Sequence, residues 1–246
     1  MRLLSLDLET SPHLVWDWDL HNLMVSIDKI VATTEMMCFS AKWWDEKDVL
    51  FYSIPKNGKD QMVREAHRLL DEADVVMHYN GKRFDIPHLN REFLELGLLP
   101  PSPYQQIDLY QAVRKQFRLA STKLQYVSKM LGLEGKVQHS GFSLWVKCMA
   151  GDPAAWREME SYNRQDVILL EQLYAILQPW IPHHPARTLI DGTAGDACPA
   201  CGSSSLEKRG FAIAIQRKYQ RYVCRKCGKW SRGGKSLGSV EIREVA

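Results

Sequence analysis

The sequence predicts an α/β domain, a mixed sheet flanked by helices, followed by a small separate β domain. Three observations carry this expectation. The chain opens on strand-like runs, the first of which alternates apolar and polar residues. Helical periods then flank a near-continuous apolar run of the kind a buried parallel strand makes. Beyond residue 195 the charge reverses and two cysteine pairs bracket two short strands. Of 32 Lys/Arg and 29 Asp/Glu, 11 and 4 lie from Asp196 onward, a net of +7; the remaining 21 and 25 give the first 195 residues a net of −4. An acidic body with a basic tail points to a polyanionic partner met by the tail.

At 246 residues the chain has room for one medium domain and a small one. With 45% hydrophobic and 25% charged residues, its composition is that of a soluble globular protein. No apolar run approaches the length of a membrane span, so no membrane partner is expected. Strand-like sequence starts within the first few residues, so no signal peptide is expected. A cytoplasmic protein is expected, in which thiols stay reduced and cysteine pairs point to metal.

The first strand is Leu3-Leu4-Ser5-Leu6-Asp7-Leu8-Glu9-Thr10. Leu4, Leu6 and Leu8 fall on one face, and Ser5, Asp7 and Glu9 on the other. Ser11-Pro12 turns the chain, and residues 13–18 read as a short extended piece. Residues 36–44 and 49–54 are strands, with a hairpin turn at 45–48 between them. Residues 60–72 have helical spacing through Met62, Val63, Ala66, Leu69 and Leu70. Residues 75–79 are the buried strand. Further helices are expected over 86–96, over 107–117 and over 123–131. Asp152-Pro153 makes a good helix start, Asp as N-cap and Pro at the first helical position. That helix runs to about residue 177 before Pro179 stops it. The layout gives a domain over 1–182, a linker over 183–195 and a small domain over 196–246.

Three groups of acids stand out. Asp7 and Glu9 point the same way, their Cα atoms roughly 6–7 Å apart. Like charges that close repel unless a cation sits between them, and a divalent ion with oxygen ligands would serve. A solvated acidic edge strand is the plainer alternative. Asn80-Gly81-Lys82-Arg83-Phe84-Asp85 follows the buried strand, where sites gather in α/β sheets; as a helix-start acid, Asp85 could equally be a cap. Tyr162 and Asp166, four apart, share a helix face with Leu169, Leu170 and Leu173. A structural Tyr–Asp hydrogen bond would explain that pair as well.

The order Asp-x-Glu, Asn-x4-Asp, Tyr-x3-Asp resembles the DEDD exonucleases, in the subclass with tyrosine in its third motif (DEDDy). The matches are Asp7-Leu8-Glu9-Thr10, Asn80 to Asp85, and Tyr162-Asn163-Arg164-Gln165-Asp166. The histidine subclass would need His at 161, where this chain has Ser161. The resemblance covers roughly residues 1–180. It implies a ribonuclease-H-like fold and 3′→5′ removal of nucleotides with two Mg²⁺ or Mn²⁺. Asp7, Glu9 and Asp166 would hold one ion, and Asp7 and Asp85 the second. Two cations about 3.5–4 Å apart suit in-line phosphodiester hydrolysis, which loads charge onto the attacking and leaving oxygens. With an ordinary pKa near 10, Tyr162 is expected to position water more than to take its proton. Thr10 and Asn80 are the substrate-binding residues expected in this domain.

Other side chains have plainer readings. Asp108 is expected to cap a helix. His78 is read as a packed strand residue and His88 as a helix residue. His139 lies in a loop placed to meet substrate or simply exposed. Trp16, Trp18, Trp43 and Trp44 could stack on bases, but core packing is the commoner fate of large aromatics. Cys38 and Cys148 stand alone and are expected in the core.

Cys198-x2-Cys201 and Cys224-x2-Cys227 have the pattern of a four-cysteine structural Zn²⁺ site. Gly202 and Gly228 follow each pair, where a knuckle turn favours glycine. Strands are expected at 210–215 and at 219–223, and the whole resembles a zinc ribbon. A domain of about 40 residues cannot bury a sufficient core, so the metal is expected to be needed for folding. Arg217, Lys218, Arg221 and Tyr222 are the substrate-binding residues expected here, since cations among aromatics suit single strands or duplex–single-strand junctions. A solvated basic ribbon and a protein-docking ribbon are the alternatives.

A tyrosine-type exonuclease body with such a ribbon resembles phage-type exonuclease subunits that accompany a separate DNA polymerase. This implies DNA as substrate, a 3′ end or primer–template junction, a polymerase partner, and the host cytoplasm. Nothing in the sequence reports on the 2′-OH, so RNA trimming stays open. A non-catalytic nucleic-acid adaptor is the rival outside enzymes.

Overall fold

The computed structural model describes residues 2–18, 24–44, 46–133, 139–190 and 196–241. Asp45 of the expected hairpin turn, 191–195 of the expected linker and the last five residues of the basic tail lie outside these. The chain divides into two compact units, Arg2–Tyr174 and Ala175–Ala246.

In the first unit, β1 (Leu3–Thr10) follows the alternation of its side chains. Leu4, Leu6 and Leu8 are buried in one apolar cluster, each contributing about 2 kcal/mol by removal from water. The extended piece at 13–18 contains β2 (Leu14–Val15), which pairs antiparallel with β3 (Ile30–Ala32). β4 (Met36–Trp43) lies antiparallel between β1 and β5 (Leu50–Ser53), as the hairpin reading expects. After α1 (Ile54–Asn57) and α2 (Lys59–Glu72) comes β6 (Val75–His78), parallel to β1 on its other side. α2 buries the five apolar residues that its spacing picks out. They meet the leucine face of β1 together with Ile86, Leu89 and Phe93 of α3 (Asp85–Glu95).

Gln105–Asp108 forms β7, parallel to β6, so the sheet runs β5-β4-β1-β6-β7. A helix is expected from Ile107, but Ile107 and Asp108 are strand. The proline run at 100–103 favours extended backbone, and the β6 edge pairs with it from Val75↔Gln105 to His78↔Asp108. Only then does α4 (Leu109–Gln116) begin, with Asp108 as the expected cap accepting from Gln111 N–H at 3.3 Å. α5 (Leu124–Met130) follows. α6 (Ser143–Met149) was not foreseen; Leu144 and Cys148, four apart, bury it among Met37, Cys38 and Phe51. α7 (Pro153–Leu177) starts where expected, with the Asp152 carboxylate accepting from Ala154 N–H at 2.8 Å.

α7 meets the polar face of β1. Glu171 reaches Ser5 Oγ at 3.5 Å and Lys42 Nζ at 2.6 Å, and Ser5 and Lys42 are paired across β1 and β4. The tryptophans divide. Trp43 is buried and Trp44 packs edge-on against Tyr174 at 5.0 Å, whereas Trp16 and Trp18 are exposed, contrary to the core expectation. Cys38 and Cys148 are buried as expected. No helix among the described residues is long and apolar enough to cross a membrane.

The second unit holds α8 (Arg187–Ile190) and an antiparallel sheet of β8 (Leu206–Ala214), β9 (Arg217–Cys224) and β10 (Trp230–Ser239), with β9 central. Two strands were expected. The third is built from the basic tail, whose Ser/Gly-rich composition hides its strand character until it pairs with β9.

Candidate active site and cysteine cluster

Asp7 and Glu9 sit near the end of β1, and Asp166 comes from α7. Each offers a carboxylate oxygen, and the three oxygens lie within 4.8 Å of one another. α7 brings Tyr162, Asn163 and Asp166 inward together because all three lie on its buried face. Asn163, which the sequence reading gave no role, donates its amide to Asp7 Oδ2 at 2.7 Å and to the Asp7 carbonyl at 3.3 Å. Three carboxylates this close, one buried and two half-buried, repel one another unless a cation joins them. An all-oxygen donor set suits a hard ion such as Mg²⁺ or Mn²⁺. The residues therefore fit a divalent cation.

Asp85 is anchored to the backbone of the same strand. Its Oδ1 accepts the N–H of Leu8, the residue between Asp7 and Glu9, at 3.1 Å. β6 pairs with β1 only as far as Ser5↔Met77, so the Leu8 N–H has no strand partner on that side and Asp85 supplies one. Burial raises the Asp85 carboxyl to about 7, against the pull of its backbone hydrogen bonds and with a push from Asp108.

The turn carrying Asp85 is fixed by a small network. Asn80 has a positive φ of 67° and donates its N–H to Asp108 Oδ1 at 3.0 Å. Gly81 N–H donates to His78 Nδ1 at 3.0 Å, which leaves Nε2 to face Gln106 Oε1 at 3.1 Å. A Cβ at Gly81 would fall 2.4 Å from His78 Cγ, so only glycine fits. His78 is fully buried, as the strand reading expects, and burial keeps it neutral by lowering its pKa.

Tyr162 lies over the trio. Burial, then the charges of Glu9, Asp166 and Asp7, and its hydrogen bond to Asp166 all push the phenol pKa far upward. It is a neutral donor. His139 rests on it with ring centroids 4.7 Å apart, and Trp145 closes the stack at 5.2 Å from His139 and 6.2 Å from Tyr162. Beyond His139 opens a cavity of about 970 Å³ lined by Tyr79, Asn80, Tyr110 and residues 119–125. Asn80 thus borders open space. Thr10 lies at a bulge, since Glu9 pairs with Cys38 but Thr10 with Met36. His88 packs on Phe84 at 4.7 Å.

In the second unit Cys198, Cys201, Cys224 and Cys227 bring their sulfurs within 4.8 Å of one another. The Cys198–Cys227 and Cys201–Cys224 separations are both 3.6 Å. Zn–S bonds of ~2.3 Å in a tetrahedron set sulfurs about 3.8 Å apart, so the cluster fits zinc. The two knuckles match: Gly202 N–H and Gly228 N–H donate to the Cys198 and Cys224 carbonyls at 2.9 Å, with positive φ of 70° and 76°. Burial raises the Cys198 and Cys227 thiols, whereas the Cys227 and Lys226 N–H groups and nearby thiols bring Cys224 down to about 7 against its own burial, so the four do not share one tendency toward thiolate. Among the described residues, only Ala200 and Leu206 join the cysteines in that core.

Of the ribbon residues expected to bind substrate, β9 sends Arg217 and Arg221 to one face and Lys218 and Tyr222 to the other. The arginine face is laddered with aromatics: Arg221 over Trp230 at 4.9 Å and Arg232 over Tyr219 at 4.1 Å. Lys218 covers Phe211 at 3.8 Å on the opposite face.

A mixed sheet, antiparallel over β5-β4-β1 and parallel over β1-β6-β7, with carboxylates at the end of its central strand β1, is a ribonuclease-H-like arrangement. The family model described as RNase_H superfamily matches residues 31–178, more than half of the chain. The chain belongs to the RNase H superfamily. That match begins after β1, so the placing of Asp7 and Glu9 rests on the geometry above. Among solved structures, the family B DNA polymerase from the hyperthermophilic archaeon Pyrobaculum calidifontis is similar, with a TM-score of 0.54 and 16% identity. The similarity covers 90% of this chain and 33% of the polymerase, so the chain spans a third of its length. At that identity the likeness is one of fold. No curated protein matches the sequence.

Proposed function

We propose that the chain is a metal-dependent 3′→5′ exonuclease of the tyrosine DEDD type, acting on DNA in replication or proofreading. In this reading residues 1–182 are the nuclease and 196–246 a zinc ribbon that holds substrate or a polymerase, as in phage-type exonuclease subunits. The observation that carries it is the convergence of Asp7, Glu9 and Asp166 within 4.8 Å beneath a neutral Tyr162. Membership of the RNase H superfamily and fold likeness to a DNA polymerase support it.

Asp7, Glu9 and Asp166 would hold one Mg²⁺ or Mn²⁺, and Asp7 with Asp85 a second. Bound there, two divalent ions would stabilise charge on the attacking and leaving oxygens and ease deprotonation of the attacking water. With its one proton given to Asp166, the Tyr162 oxygen would accept a hydrogen bond from that water and so orient it; its raised pKa removes it as a base. Asn163 holds Asp7 in one rotamer through both of its bonds. Thr10 receives the terminal nucleotide from the end of β1.

The test is a 5′-labelled single strand, DNA or RNA, incubated with the purified protein and Mg²⁺, Mn²⁺ or EDTA. A descending one-nucleotide ladder on DNA that EDTA abolishes is expected. A ladder on RNA alone would make it an exoribonuclease, and no cleavage of either would leave a binding adaptor.

A further inference from the structure

A second cleft, of about 400 Å³, opens beside the cavity next to His139 and shares two walls with it, Asn80 and Tyr110. Its other walls are Arg83, Gln111, Arg114 and Lys115. The three cations come from two separate elements. Arg83 follows β6 in the turn whose N–H bonds the Asn80 carbonyl at 3.0 Å. Arg114 and Lys115 lie one helical turn beyond Tyr110 and Gln111, so α4 presents all four on adjoining faces. A helix C-terminus favours cations in its last turn. That accounts for Arg114 and Lys115, but it does not bring Arg83 to meet them.

The local charge is equally one-sided. From Leu109 to Leu133 there are five Lys/Arg and no Asp/Glu, within an otherwise acidic body. Arg83, Arg114 and Lys115 are exposed, and they form no ion pair among the described residues. Like charges gathered without counter-ions, at the rim of an open cleft, suit an anion with several charges. The neighbouring cavity offers different chemistry: the Tyr79 and Tyr110 rings, 5.8 Å apart, and the apolar Leu119 and Leu124. Tyr79 is held in place by its hydroxyl donating to the Thr122 carbonyl at 2.5 Å. Cations beside aromatic faces are what a single strand meets, phosphates on one and bases on the other.

We infer that Arg83, Arg114 and Lys115 form a phosphate track that grips a single-stranded polynucleotide several nucleotides behind the end lying at Asp7, Glu9 and Asp166. The strand passes from the cleft along Asn80 and Tyr110, through the cavity, and past His139 to Tyr162. This rests on the exonuclease reading and adds to it a length-dependent grip within the nuclease unit itself. DNA and RNA share the phosphodiester that the track takes, and separate arms of the test distinguish them.

The experiment compares kcat/KM for 5′-labelled dinucleotide and decanucleotide, DNA and RNA, over a KCl series with Mg²⁺. The wild-type protein and the triple variant Arg83→Ala/Arg114→Ala/Lys115→Ala are measured side by side, their folding checked by thermal melting. The wild-type protein is expected to prefer the decamer at least tenfold. The triple variant is expected to lose that preference, and its slope of log kcat/KM against log salt is expected to flatten by about 2, at ~0.7 per single-strand phosphate contact. Arg64→Ala, which removes an exposed cation of α2, is expected to keep the wild-type slope. A folded triple variant with wild-type length preference and salt slope would overturn the track while leaving the exonuclease reading intact. Absence of any wild-type cleavage would instead overturn the exonuclease reading, and the track with it as a substrate path.

Discussion

Asn163 holds Asp7 twice, its side-chain amide donating to Oδ2 at 2.7 Å and to the backbone carbonyl at 3.3 Å. One residue of α7 thus sets both the rotamer of a carboxylate and the position of the strand that carries it. Groups that orient a metal ligand typically matter 10–100-fold. Asn163→Ala is expected to weaken Mn²⁺ binding by about that factor, measured by calorimetry, while the melting temperature without metal changes little. An unchanged affinity would reduce Asn163 to packing.

Removing Asp7 should separate metal from fold. A ligand at 100 times its Kd stabilises a protein by about 2.7 kcal/mol. The wild-type protein is expected to gain that much from Mn²⁺ and Asp7→Ala none of it, with nuclease activity abolished. Full activity in the purified Asp7→Ala or Asp166→Ala variant would sink the carboxylate site.

Tyr162→Phe keeps the ring that His139 packs on and loses only the hydroxyl. Turnover is expected to fall about 100-fold, the lower end of what a positioned proton-bearing group contributes. Mn²⁺ affinity is expected to stay within a few fold. If affinity falls in parallel with turnover, the hydroxyl serves Asp166 and the metal site instead.

Glu92 gives a pH-dependent prediction away from the site. It is fully buried and accepts from Met36 N–H at 3.0 Å and Arg91 at 2.6 Å, with Lys59 at 3.1 Å. Burial would raise its pKa, but these partners outweigh it and leave the carboxyl below its ordinary 4.5. A carboxyl lowered in the folded state stabilises it above the unfolded pKa, and that part is lost as pH falls through the folded value. Glu92→Ala is expected to cost about 3 kcal/mol at pH 7. In urea titrations its deficit against wild type should shrink below pH 4.5; a deficit flat in pH would contradict the assignment.

Chelation should act on the ribbon. One Zn²⁺ per chain is expected, and its removal should raise amide exchange throughout β8, β9 and β10, because a core this small cannot hold the sheet. Cys224→Ser is expected to give the same exchange pattern with zinc present. Protection that survives full zinc removal would show the sheet to be self-sufficient.

The parts legible in the sequence are those governed by local repetition. Leu4, Leu6 and Leu8 alternate with Ser5, Asp7 and Glu9, and a period of two assigns them to opposite faces wherever the strand lies. The helical spacing of 60–72 named the five residues that α2 buries. Asp108 and Asp152 cap because a side-chain oxygen satisfies nearby N–H groups whatever the tertiary setting. The glycines after each cysteine pair take positive φ for an equally local reason.

What folding decided are the meetings of residues far apart in the chain. Ile107 and Asp108 became strand because the open edge of β6 offered hydrogen bonds that outweigh a weak helical pattern. The Asp85 carboxylate takes up Leu8 N–H because β6 stops short of the end of β1, a difference in strand length that no window around Asp85 contains. Asn163 reached Asp7 across 156 positions, and Arg83 met Arg114 and Lys115 only through the packing of a turn beside α4. The two cysteine pairs point to a metal by their spacing alone, whereas Asp7-Leu8-Glu9 by itself also fits a solvated acidic edge. Which of them act together depended on the sheet order and on α7 crossing the polar face of β1, since distance between remote residues is set by the folded whole.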